Sequence, residues 1–178
     1  GSTFKSVVAA AALQEKVVSP NQVFVDPGYV MVSGRRIQNW SGTSFGTVTF
    51  TDVVKQSPNT CFAQVGLRLG AQKLTDYAKL FGFGTPTGIE LPGEEGGLLF
   101  NPDDMRDSDV ATMAIGHSIA VTPLQLVTAM SAIANDGVLL KPHIVKTITN
   151  VAGSISVSYS QLTLPMINPL QISVCALT

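Results

Sequence analysis

From Thr3 to Glu15 apolar residues and alanines follow one another with almost no polar interruption, a pattern that predicts a buried helix. The helix starts at or near Ser2 and ends before Ser19-Pro20. Between Val23 and Trp40 the turn residues Asp26-Pro27-Gly28 and Ser33-Gly34 alternate with Val30 and Val32, which predicts short extended pieces joined by turns. Gly42 to Gly46 reads as loop. Helical periodicity returns at Thr51-Asp52 and stops at Ser57-Pro58, because proline disfavours the helical conformation in the residue before it. It resumes after Asn59, and Leu74, Tyr77, Ala78 and Phe81 then mark one face of a helix closed by Gly82 and Gly84. Thr122-Pro123-Leu124-Gln125 is a complete start signal, with a cap, a proline in the first turn and a capping-box glutamine. The helix it opens has an inner stripe of Leu126, Val127, Met130, Ile133 and Ala134 and ends at Asn135-Asp136-Gly137.

After Lys146 the pattern changes. Residues 147–178 carry no charge and are rich in Ile, Val, Ser and Thr, which predicts strands in need of a sheet to join. The 178 residues suit one domain with a real core. Eleven Lys plus Arg stand against 12 Asp plus Glu, so no excess charge favours nucleic acid or an anionic membrane surface. Only 13% of residues are charged and 45% are hydrophobic, which implies that much of the surface is uncharged or covered by something else. No run is long enough for a membrane span. Cys61 and Cys175 lack metal-ligand spacing, and Cys61 is expected to be a small buried hydrophobe.

Two constellations carry candidate chemistry. Ser2 and Lys5 lie three residues apart at a helix start and share a face, so the amine reaches the hydroxyl. A lysine of pKa near 10.4 leaves on the order of one amine in a thousand or fewer neutral at pH 7. Burial and the positive end of the helix dipole both lower that value, and the helix N-terminus offers a backbone N–H to a forming oxyanion. The same residues also fit a helix cap or an expression scar. The second constellation is Ser57-Pro58-Asn59, which alone reads as a turn but sits at a helix junction able to present a hydroxyl and an amide to Ser2 and Lys5.

Longer stretches sharpen the picture. "GSTFK", "KQSPNTCFAQVGLRLG", "FGFGTPTGIELPGEEGG" and "AIGHSIAVTPLQLVTAMSAIANDGVLLKPHIV" resemble, in order and approximate spacing, passages of the class B high-molecular-weight penicillin-binding proteins of division, elongation or sporulation type. The resemblance covers about residues 1–150 of a partial transpeptidase domain, and residues 151–178 match poorly. It implies an α/β (α+β) penicillin-binding fold of the serine β-lactamase-like type, an antiparallel sheet flanked by helices plus a helical subdomain.

It also implies a peptidoglycan D,D-transpeptidase without cofactor or metal. Ser2 would be the nucleophile and Lys5 its base. Ser57 would be the proton relay, and Asn59 would bind both Lys5 and the substrate amide. The implied partners are stem peptides ending in D-Ala-D-Ala, β-lactams and other cell-wall synthesis proteins, at the extracytoplasmic face of the membrane with an anchor outside this chain. A β-lactamase or D,D-carboxypeptidase of the same superfamily and a non-catalytic scaffolding domain are the competing expectations.

The sequence departs from the family at its third motif. Lys-Thr-Gly is absent, and Lys146-Thr147-Ile148 puts isoleucine where a glycine would let substrate approach the strand. A fragment with weak or no transpeptidation is therefore expected. Elsewhere, Gly82, Gly84 and Gly88 lack the spacing of a phosphate loop, and Asp103, Asp104, Asp107 and Asp109 read as a solvated loop rather than a calcium site. His117 stands where the resembled family is expected to have glutamine; a catalytic imidazole is the alternative there, and a packed or hydrogen-bonded histidine the expectation. Trp40 is expected to be a core or groove aromatic.

Overall fold

A computed structural model describes residues 1–153 and 155–158. A 3-10 turn, Ser2–Phe4, runs directly into α1, Lys5–Gln14. Lys5 and every residue from Val7 to Ala12 are buried, as the unbroken apolar run requires, since no face is left for water. The small alanines let α3, Asn59–Leu80, pack closely against α1. Glu15, just past α1, fixes this pairing through an ion pair with Lys73 and a hydrogen bond from the Tyr77 hydroxyl at 2.9 Å.

The expected extended pieces are β1, Val23–Asp26, β2, Tyr29–Val32, and β3, Arg35–Gln38. A fourth strand that the sequence reading left out, β4, Gly46–Thr49, begins at the last residue of the expected loop. β1 pairs with β4 and β2 with β3, both antiparallel. A third antiparallel pair joins β5, Thr147–Thr149, to β6, Ile155–Ser158, with a bulge between Ile148 and Thr149. Among the described residues the expected antiparallel sheet thus takes the form of three two-stranded ladders. The rest of the uncharged tail, with Cys175, lies outside the described residues.

Thr49 caps α2, Phe50–Gln56, in a full capping box with Asp52. α2 and α3 meet at Ser57, which adopts the left-handed conformation (φ 56°, ψ 42°), so the predicted junction is real. The helical run through α3 is not continuous, because Gly70 (φ 79°, ψ 167°) takes a conformation open essentially to glycine alone. The expected aspartate loop is replaced by a 3-10 turn, Pro102–Asp104, and by α4, Asp107–Ala114, whose first turn carries Asp107 and Asp109 next to the positive end of the dipole. α4 lies against α3 at Gly66, where a Cβ would come within 2.3 Å of the Ala114 Cβ.

α5, Pro123–Ala134, begins as predicted, with Thr122 and Gln125 exchanging hydrogen bonds. Its inner face matches the expected stripe in part, since Leu126, Met130 and Ile133 pack half-buried against the core. Gln125, Thr128, Ala129 and Ala132 are buried, while Val127 is 63% exposed and lines an open groove with Thr3, Leu126, Met130 and Ala134. The reason is polar: the Gln125 amide donates to the Thr85 and Gly96 carbonyls, so the glutamine side of the helix faces the packed loop. Among the described residues no helix is long and apolar enough to cross a membrane.

Candidate active site

Lys5 of the first candidate constellation meets both polar residues of the second. Lys5, 3% exposed, donates from Nζ to the Ser57 carbonyl at 2.7 Å, to Ser57 Oγ at 3.0 Å and to Asn59 Oδ1 at 2.7 Å. All three donors of the ammonium are therefore used. Left-handed Ser57 makes this possible, because that conformation lets both its carbonyl and its hydroxyl reach the amine. Burial brings the Lys5 amine down from 10.5 to about 8, against a small opposing effect of Cys61. The Phe62 ring, 5.3 Å from Nζ, forms part of the apolar surround. At that value about a tenth of the amines are neutral at pH 7.

Ser2 lies in the 3-10 turn one residue after its cap, Gly1, with its side chain exposed and capping neither that turn nor α1. The capping role considered for Ser2 is thus unfilled. Gly116 presses on this turn, since a Cβ there would stand 2.1 Å from the Gly1 carbonyl oxygen, and its φ of +80° also favours glycine. The sequence reading passed over Gly116, although "AIGHS" contained it.

Asn59 is oriented from its other end. Its Nδ2 donates to the Gln38 carbonyl at 2.8 Å, which leaves Oδ1 for the ammonium. One residue further along each segment, Asn39 Oδ1 accepts from the Thr60 backbone N–H at 3.1 Å. Beneath these contacts lies Asp26, fully buried. Its carboxylate accepts from the Gly28 N–H (3.0 Å), the Phe45 N–H (2.9 Å), the Asn39 amide (2.9 and 2.8 Å) and the Thr60 hydroxyl. Burial opposes this charge, but the hydrogen bonds from Thr60, Gly28, Phe45 and Asn39 outweigh it and hold the carboxyl below the usual range. Sequence reading took Asp26 for a turn residue and did not single out Asn39.

The other candidates separate from this cluster. Cys61 is buried as expected, with burial pushing its thiol up to about 11. His117 is exposed rather than packed. Trp40 is 91% exposed, which excludes the core alternative. In the glycine-rich segment the Thr87 and Gly88 N–H groups donate to the Glu94 carboxylate, so an internal acid fills the place an external anion would take.

Comparison with known proteins fits this geometry. The family described as "Penicillin binding protein transpeptidase domain" matches residues 1–174. Stage V sporulation protein D of Bacillus subtilis is 44% identical over 147 residues, covering 82% of this chain and 23% of that protein. Peptidoglycan D,D-transpeptidase MrdA of Haemophilus influenzae is 32% identical over 158 residues, covering 83% and 24%. Among solved structures, penicillin-binding protein 3 of Mycobacterium tuberculosis in complex with aztreonam superposes with a TM-score of 0.80 at 30% identity, covering 97% of this chain and 37% of that one. The D,D-transpeptidase domain of a peptidoglycan glycosyltransferase from Eggerthella lenta gives 0.82 at 29%, covering 96% and 44%. Fold and sequence together define a serine-type transpeptidase class. The chain belongs to the penicillin-binding protein transpeptidase family, and it spans about a quarter of the length of the curated relatives it matches.

Proposed function

We propose that this chain carries the nucleophile-bearing part of a peptidoglycan D,D-transpeptidase that cross-links stem peptides through a serine acyl-enzyme and is acylated by β-lactams. The observation that carries the reading is the buried Lys5 amine, one turn after Ser2 and bonded to Ser57 and Asn59. Neutral Lys5 takes the proton of the Ser2 hydroxyl as its oxygen attacks the carbonyl of the penultimate D-alanine. Ser57 Oγ, which accepts from Lys5, passes its own proton to the leaving amine and takes in exchange the proton that Lys5 drew from Ser2, which leaves Lys5 neutral again. The C–O bond forms, the C–N bond breaks, and the terminal D-alanine departs. The amine of a second stem peptide then attacks the ester, a C–N bond replaces the C–O bond, and the proton returns to Ser2. Covalent catalysis thereby splits one amide exchange into two easier steps. The N–H groups at the head of the Ser2 turn supply one side of the oxyanion site. Asn59 orients Lys5 and offers the substrate amide its remaining N–H.

The parent protein acts at the extracytoplasmic face of the cell membrane together with other cell-wall synthesis proteins. The 178 residues alone, without Lys-Thr-Gly, acylate slowly and transpeptidate weakly or not at all. Prolonged incubation with a fluorescent penicillin, followed by intact mass and peptide mapping, tests the assignment. A lasting adduct on Ser2, abolished in Ser2→Ala, is expected. Rapid turnover without a lasting adduct would indicate a hydrolase, and a complete lack of adduct would leave a scaffolding role.

A further inference from the structure

We infer that Asp26 is a positioning residue for the transpeptidase site: through Asn39 and Thr60 it sets the first turn of α3 and thereby the aim of Asn59 at Lys5. The inference rests on the functional reading above and adds to it a residue that touches none of the reacting groups.

The argument is one of register. Residues 38 and 39 face residues 59 and 60 as two successive pairs. The first pair, Gln38 and Asn59, looks into the site. The second, Asn39 and Thr60, looks into the protein and ends on Asp26. Asn39 has no freedom left, for its Nδ2 is shared between the carboxylate and the Thr43 carbonyl, and its Oδ1 is taken by the Thr60 N–H. A neutral side chain at position 26 could not accept all these donors at once, since an amide offers a single oxygen. Thr60 and Asn39 would then turn, and Asn59 and Gln38, each one peptide bond away, would turn with them. The expense of burying a carboxylate at all argues for a demand on geometry, because a burial site that needed only stability would be better filled by apolar packing.

The test compares Asp26→Asn and Thr60→Val with the parent chain and with Ala78→Gly, a buried α3 substitution remote from this hub. Thr60→Val removes only the hydroxyl and keeps the bulk, so it serves if Asp26→Asn does not fold. Each protein is first shown to be folded by circular dichroism. Lys5 is then titrated through its side-chain 13Cε resonance, and the rate constant of penicillin acylation per folded molecule is measured separately from the dissociation constant of the initial complex. Cys61 is the titratable neighbour whose charge acts on Lys5 and is unchanged in every variant. The expected result is a Lys5 midpoint lower by at least half a pH unit in Asp26→Asn and by less in Thr60→Val, because an ammonium that loses Asn59 Oδ1 holds its proton less tightly. Acylation should slow by roughly tenfold with the initial complex unchanged within about twofold, and Ala78→Gly should match the parent in both. Folded Asp26→Asn or Thr60→Val proteins with the parent's Lys5 midpoint would overturn the inference. Lack of any Ser2 adduct in the parent would instead sink the functional reading, and the Lys5 titration would still decide the role of Asp26.

Discussion

Lys5 is a base only in its neutral form, and the neutral fraction is set by the pocket around it. Acylation of Ser2 should therefore rise with pH along a single limb with a midpoint of about 8, measurable as the second-order rate constant between pH 6 and 10. A limb near 10.4 would mean that the amine is not desolvated. The same shift carries a stability cost. Because the folded value lies below the unfolded one, Lys5 opposes folding at neutral pH, and that opposition is lifted as pH rises from about 8 through 10.5. Asp26 has the opposite sign: its lowered carboxyl stabilises the fold above the unfolded value near 3.8, and this contribution is lost as pH falls through the folded value. Denaturant titrations at pH 7 and pH 3 should thus show a larger acid loss in the parent than in Asp26→Asn. An equal loss would show that the carboxylate is not held in its charged form.

At the scale of elements, the α2–α3 junction is held in a conformation that a residue with a Cβ adopts at a cost of about 1–2 kcal/mol. Ser57→Gly and Ser57→Ala both remove the hydroxyl, but only glycine relieves the backbone, so the glycine variant should be the more stable of the two by about 1 kcal/mol in urea unfolding. Equal stabilities would contradict the left-handed junction. In α5, replacing Gln125 by leucine leaves the Thr85 and Gly96 carbonyls and the Thr122 N–H without their partner. A loss of at least about 2 kcal/mol is expected in the same assay. These elements also show what the sequence made legible. α1, the helix junction at Ser57 and the start of α5 could be read because local rules decide them: an apolar run, a proline and a capping box. β4, α4 and the buried face of α5 could not, because distant partners decide them. The α5 stripe was right in part for that reason: Leu126, Met130 and Ile133 pack against the core, yet the three hydrogen bonds of the Gln125 side chain turn its own side inward and leave Val127 and Ala134 exposed. The residues of the site were legible as motifs, whereas the hub of Asp26 and Asn39 was hidden behind ordinary turn chemistry.

Across the whole molecule, the site draws on segments that are far apart in the chain: the Ser2 turn, β1 and the residues after β3, the α2–α3 junction and the loop after α4. Two glycines set how closely these parts approach. Gly66→Ala would drive a methyl into Ala114 and should weaken α3–α4 packing by about 1–3 kcal/mol, seen as a lower unfolding midpoint. Gly116→Ala would instead push on the Gly1 carbonyl and displace the turn that bears Ser2. Its expected signature is a large fall in adduct formation relative to any change in unfolding midpoint, and a variant that labels like the parent would refute the contact.

The interruption of α3 at Gly70 has a bearing on which changes the protein tolerates. A continuous helix behaves as a stiff rod, passing tilt and torsion from one end to the other along its ladder of backbone hydrogen bonds. Here the rod is cut, and nothing lies within 4 Å of where a side chain at Gly70 would sit, so the cut comes from the backbone and not from crowding. Distortion arising among residues 71–80 is thereby not handed along the helix to the end that holds Asn59, and its remaining route to the site runs through α1, which Lys73 and Tyr77 grip at Glu15.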